Sequence, residues 1–140
     1  MKLDWALLSN AAEGRAGLVY LLGGGWDTTW RDTFPAPFIG AVAFRVLASP
    51  SEAELDHTAR LRVLDTDGAP IAPEVRFPVN LSKPSVAYVE GWDISGLVTV
   101  NLTGLIVHMP GMYRIEVAVD DKVLTELRFR FLEGPAPDLP

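Results

Sequence analysis

Apolar and polar residues alternate along most of this chain. Leu3, Trp5 and Leu7 alternate with Lys2, Asp4 and Ala6. Val42, Phe44 and Val46 stand opposite Ala41, Ala43 and Arg45 within the apolar run Phe38 to Leu47. The pattern repeats at Leu61 and Val63, at Val75 to Leu81, and at Val98 to Leu102. It is longest at the end, where Tyr113, Ile115, Val117 and Val119 are followed by Asp120-Asp121 and then by Val123, Leu127, Phe129 and Phe131. That last unit predicts a β-hairpin with one apolar and one charged face. Many short period-two runs separated by Gly, Pro and Asp turns predict an all-β domain. The expected fold is a two-layer antiparallel β-sandwich with immunoglobulin-like or Greek-key connections and about seven to nine strands.

Interruptions in the pattern refine this picture. Gly14-Arg15-Ala16-Gly17 predicts a turn into Leu18 to Leu22. Pro78 lacks an amide proton, so its strand belongs at a sheet edge. Gly104 predicts a bulge that moves the inward set from Leu102 to Leu105 and Val107. Ser49 to Leu55 predicts one or two helical turns, with serine as cap and Pro50 in the first turn. Gly23 to Pro37 and Asp67 to Pro73 read as long loops. Pro110-Gly111-Met112-Tyr113 predicts a tyrosine corner, in which the hydroxyl bonds back to the backbone beneath the turn.

The 140 residues suffice for one domain, expected over 1–132, with 133–140 a flexible proline-rich tail. The absence of cysteine removes disulfides, thiolate nucleophiles and cysteine zinc sites, and fits a reducing cytoplasm. Asp4 breaks the first apolar run, so no secretory leader is expected, and no run is long enough for a membrane helix. A net charge of −6 with dispersed basic residues disfavours nucleic acid and anionic membranes as partners.

Four segments, Leu3-Asp4-Trp5-Ala6, Gly23-Gly24-Gly25-Trp26-Asp27, Leu64-Asp65-Thr66-Asp67-Gly68 and Pro110-Gly111-Met112-Tyr113, together resemble a bacterial family known only as a domain of unknown function. The resemblance spans most of residues 2–131. It implies a compact β-sandwich and carries no activity with it.

The residues offer little reaction chemistry. Gly23-Gly24-Gly25 is followed by Trp26-Asp27 rather than by a helix with lysine, so a phosphate loop is not expected. Trp26, Asp27, Trp30 and Phe34 share one loop. Their rings suit a protein interface or a sugar face, or they fold back to close the core. Asp27, Asp65, Asp67, Asp93, Asp120 and Asp121 fall at turns, where aspartate bonds its own backbone; a calcium site would need them gathered. His57 and His108 lack ligand spacing, and a hydrolase reading would pair one of them with an aspartate. Ser95-Gly96 lacks the nucleophile elbow. Asn80-Leu81-Ser82 and Asn101-Leu102-Thr103 are sequons without a leader. Arg128 and Arg130 lie on the outward face of the last strand, a candidate edge for symmetric pairing.

These readings lead to a non-enzymatic cytoplasmic binding or assembly module. It would act on a protein partner or a second copy through the tryptophan loop and a sheet edge. The alternatives are a small-molecule or carbohydrate module built on Trp26 and Trp30, and then a hydrolase. No cofactor or metal is implied.

Overall fold

The alternating segments do form strands. The computed structural model describes residues 1–81 and 89–138 and is all-β. The chain runs β1 (Lys2–Ser9), β2 (Ala11–Arg15), β3 (Leu18–Leu22), β4 (Thr28–Arg31), β5 (Ala36–Pro37) and β6 (Ala41–Ala48). A single 3-10 turn, η1 (Glu52–Glu54), leads into β7 (His57–Asp65), β8 (Val75–Val79) and β9 (Ile94–Asn101). Last come β10 (Ile106–Val107), β11 (Gly111–Val119) and β12 (Lys122–Glu133). These twelve strands exceed the number expected because the Gly23–Pro37 loop holds two of them and Ala11 to Leu22 folds as a hairpin of its own. Ser82 of the first sequon and Leu139-Pro140 of the expected tail lie outside the described residues.

Two larger sheets carry the fold. One is β1-β6-β9, and the other is β4-β12-β11-β7-β8. All neighbours are antiparallel except β4, which lies parallel to the end of β12 and corrects the all-antiparallel expectation. β8 ends the second sheet, where Pro78 loses no ladder bond. Both sheets contribute to one core: Leu8, Val42, Phe44 and Val46 from the first, and Leu61, Val63, Ile115, Val117, Phe129 and Phe131 from the second.

Tyr113 closes this core. Its hydroxyl donates to the Met109 carbonyl at 2.6 Å, and its ring stacks on Phe129 with centroids 5.6 Å apart. Burial, with Asp65 adding to it, pushes the phenol pKa up, so the hydroxyl remains a donor.

Three local shifts alter which side chains face inward. A bulge between Leu3 and Trp5 sends Leu3 and Ala6 to the main core, while Trp5 packs on the opposite face against Ala12, Ala41 and Ala43. A second bulge pairs Ala118 with Val123 directly after Val117 with Thr125. Leu124 therefore turns toward the core and Val123, expected inside, is exposed. At Thr103-Gly104 the chain makes a turn rather than a bulge within a strand, and Leu102, Leu105 and Val107 are all buried.

Short connections follow residue chemistry. Ser49 and Glu52 form a capping box: the Ser49 N–H donates to Glu52 Oε2 at 2.8 Å and the Glu52 N–H to Ser49 Oγ at 3.3 Å. Asp65 Oδ1 accepts the N–H groups of Asp67 and Ala69, both at 2.9 Å, fixing the turn at Gly68. Both hairpin turns have positive φ at their two central residues, Asp120 and Asp121 in one and Ala16 and Gly17 in the other. Aspartate tolerates that region; alanine, with its Cβ, does not. Ala16→Asn, which places Asn-Gly in the turn, should therefore stabilise the protein by about 1 kcal/mol. Thermal unfolding should show a higher midpoint; an unchanged or lower one refutes the strain.

Candidate functional site

The tryptophan loop begins with a backbone fold. Gly23 and Gly25 take φ values of 63° and 89°, and the Gly25 N–H reaches the Leu8 carbonyl at 2.7 Å. A Cβ on Gly23 would lie 2.4 Å from the Asn10 amide nitrogen, so any other residue there would have to displace that side chain as well as adopt a left-handed backbone that favours glycine. The bend turns Trp26 inward, with its ring 5.8 Å from Phe38 and 6.2 Å from Phe129. Its Nε1 is buried and has no hydrogen-bond partner among the described residues. Phe34 meets Phe131 edge-on at 6.3 Å. Trp30 sits in β4 opposite Leu132, in the outward set with Thr28 and Arg130. Asp27 accepts the Thr28 hydroxyl at 2.9 Å. Trp26 and Phe34 thus complete the core, and Trp26 and Trp30 share no common face.

What the molecule displays instead is the β2–β3 arm. Its inner face rests on the first sheet through Ala12 and Val19, and the Asn101 amide donates to the Ala12 carbonyl at 3.1 Å. Its outer face presents Leu18, Tyr20 and Leu22, which are 59%, 56% and 71% exposed. The two-residue turn makes Arg15 and Leu18 a hydrogen-bonded pair. Alternation then directs the N–H and C=O groups of Val19 and Leu21 away from β2. No described strand pairs with that side of β3.

The expected edge at Arg128 and Arg130 is altered. β12 lies inside the sheet order, and β4 covers its end from Arg130 to Glu133. The Arg130 N–H is bonded to the Asp27 carbonyl at 2.8 Å, so this residue is no longer at an open edge. Both arginine side chains remain exposed on the outward face. There Arg114 stands directly opposite Arg128, and Met112 opposite Arg130.

The two histidines differ in role. His57, expected before a strand, is the first residue of β7 and belongs to the inward set His57, Ala59, Leu61, Val63. Its Nδ1 lies 2.5 Å from Asp120 Oδ2 and its Nε2 lies 2.6 Å from the Glu52 carbonyl. A carbonyl and a carboxylate only accept, so both ring nitrogens donate and the ring is imidazolium. The Asp120 bond, opposed by burial and aided by the Glu52 carbonyl, raises the His57 pKa. Burial pulls Asp120 up, but the bonds from His57 and the Thr58 N–H outweigh it and leave its pKa lowered. The Met1 ammonium and Ser49 hold the Glu52 pKa at about 2. A ring with both nitrogens engaged has none to offer a substrate proton. His108 is exposed at the end of β10. Among the described residues no three His, Cys, Asp or Glu side chains gather as metal ligands, and no helix is long and apolar enough to cross a membrane.

Residues 4–132 match the family described as "Family of unknown function (DUF6941)". The chain belongs to this family. No curated protein and no solved structure matches it. The family match spans the arm, both larger sheets and the Tyr113 turn, so each surface described here lies within the family's domain.

Two features of the site escaped the sequence reading. The arm's turn at Gly14 to Gly17 and its strand Leu18 to Leu22 were legible in the sequence. Its exposure was not, because apolar residues in a strand ordinarily imply burial. The partner of His57 lies 63 positions away, at a turn that aspartate alone explains.

Proposed function

We propose that this protein is a non-enzymatic assembly module on a two-layer, immunoglobulin-like sandwich, and that β3 pairs with β3 of a second copy. A chain without cysteine suits the reducing cytoplasm, where we place it. The Tyr113–Met109 bond supports the immunoglobulin-like frame. The engaged nitrogens of His57 favour binding over catalysis.

The observation that carries the reading is the unpaired β3 edge with its four exposed apolar side chains, Leu18, Tyr20, Leu21 and Leu22. Such an edge is a template for another strand unless it is blunted by charge, proline or a bulge. β3 has none of these: its sequence is Leu-Val-Tyr-Leu-Leu. An antiparallel copy centred on Tyr20 would place Val19 opposite Leu21 of the partner, so the outward N–H and C=O groups of both would bond each other. Leu18 would face Leu22, and no like charges would meet within the strand pair. The arrangement is isologous, as a two-fold dimer requires.

Sedimentation velocity over a concentration series tests this. The wild-type protein should pass from monomer to dimer. Leu21→Pro removes an outward N–H without removing a bond to β2, and Tyr20→Lys sets two ammonium groups together at the two-fold axis. Both variants should keep the wild-type circular dichroism and remain monomeric. A wild-type monomer at every concentration, or a Leu21→Pro dimer as tight as wild type, overturns the reading.

A further inference from the structure

We infer that the outward face of β11 and β12 holds a binding site for a small organic anion, with Arg128 and Arg130 as its anion-binding residues. Arginine is unevenly spread over the molecule. Six of the nine arginines stand on β7, β8, β11 and β12 of this one sheet: Arg60, Arg62, Arg76, Arg114, Arg128 and Arg130. This is unexpected in a chain of net charge −6.

Most of them are neutralised. Glu116 is held by Arg62 at 2.9 Å and by Arg60 at 3.3 Å. Arg60 and Arg76 share Asp121, at 3.1 and 3.6 Å, and Arg76 also takes Glu74 at 2.6 Å. Arg114 reaches diagonally to Glu126 at 3.3 Å. The sequence of pairings then runs out. Arg128 has no carboxylate partner among the described residues, and Arg130 Nε donates only to the Thr28 hydroxyl at 2.9 Å. Arg114 and Arg128 are also direct cross-strand neighbours, a like-charge arrangement that destabilises a sheet unless something offsets it.

The Arg128 and Arg130 guanidinium groups, without carboxylate partners among the described residues, border a groove of about 300 Å³. That volume is at the lower end for a small-molecule pocket. Met112, 66% exposed and opposite Arg130, supplies an apolar wall beside them. Asp27, Asp65 and Glu126 also line the groove: Glu126 is paired with Arg114, Asp27 accepts the Thr28 hydroxyl, and Asp65 accepts the amides of its own turn, so none of the three reaches Arg128. The site therefore offers two planar donor forks and an apolar surface, which matches a carboxylate or phosphate head on an apolar body. It does not depend on the pairing of β3, which lies in a different sheet.

The test is a titration followed by amide chemical shifts, using benzoate and phenyl phosphate as probes and benzamide as the neutral control. Benzoate or phenyl phosphate should shift the Met112, Arg128 and Arg130 amides saturably, and the tighter of the two identifies the head group. Benzamide should leave them unmoved. Arg128→Gln should weaken the tighter probe by about tenfold, the loss expected for one charge-assisted hydrogen bond. Arg128 is exposed and has no partner among the described residues, so the variant should keep the wild-type fold by circular dichroism. The proposal fails if benzamide produces the same shifts, if neither anion produces any, or if Arg128→Gln binds as wild type does.

Discussion

Phe131→Ala should lower the unfolding free energy by about 3–5 kcal/mol, the cost of emptying a large aromatic site in a packed core. Phe131 is fully buried. Its ring meets Phe34, Phe38, Tyr113 and Phe129 at centroid distances of 6.0 to 6.5 Å, and the Arg31 guanidinium lies 5.6 Å above it. The same residue sits between Gly111 on β11 and Thr29 on β4, so its ring joins the tyrosine turn to the parallel strand. A loss of this size takes a large share of the roughly 5–15 kcal/mol that stabilises an ordinary domain. Phe131→Leu retains most of the volume and should cost less than half as much. Urea denaturation decides the matter. A midpoint barely changed by Phe131→Ala would mean that the aromatic cluster around Phe131 does not hold this end of the core together.

His57→Ala should cost about 2 kcal/mol at neutral pH, because it removes two hydrogen bonds, one of them to a carboxylate. Solvent at half-exposed Asp120 keeps the figure modest. The more specific signature is the dependence on pH. His57 has a folded pKa raised above its ordinary value of 6.5. Its stabilisation is therefore complete below pH 6.5 and is lost as pH rises through the folded value. Asp120 is lowered from 3.8, so its share is present above that pH and fades as pH falls through its own folded value. Wild-type stability should decline from pH 6.5 upward, and the His57→Ala profile should be flat over the same interval. Parallel wild-type and variant profiles would show that the imidazolium bridge between η1 and the Asp120 turn contributes nothing.

Period two was legible wherever one strand face meets the core. Tyr113, Ile115 and Val117 on β11, and Phe129 and Phe131 on β12, are buried as their alternation implies. The tyrosine corner could be read from Gly111-Met112-Tyr113, because a hydroxyl on a buried ring needs a local acceptor. Alternation failed where a second surface covers the outer face. Ala41 and Ala43 are as buried as Val42 and Phe44 because the β2–β3 arm lies over them, and Glu116 is buried beneath Arg60 and Arg62. It failed again at Val123, since a one-residue bulge reverses every side chain beyond it. β4 was hidden for a different reason. Thr-Thr-Trp-Arg has no apolar alternation, and its ladder partners come from the far end of the chain. The tryptophan loop supplied the rings but not their direction, which the Gly23–Gly25 bend sets. Arg128 and Arg130 were visible as an outward pair. Their lack of acidic partners was not, because it depends on which carboxylates Arg60, Arg62 and Arg114 had already taken.

Hydrogen exchange at the Val19 and Leu21 amides tests the assembly account most directly, because those two protons face away from the chain's own hairpin. At high protein concentration both should exchange slowly, and on dilution both should become fast, with the Leu18 and Tyr20 amides changing far less. Fast exchange of Val19 and Leu21 at every concentration would contradict the account, since a paired β3 edge cannot leave its outward amides open to water.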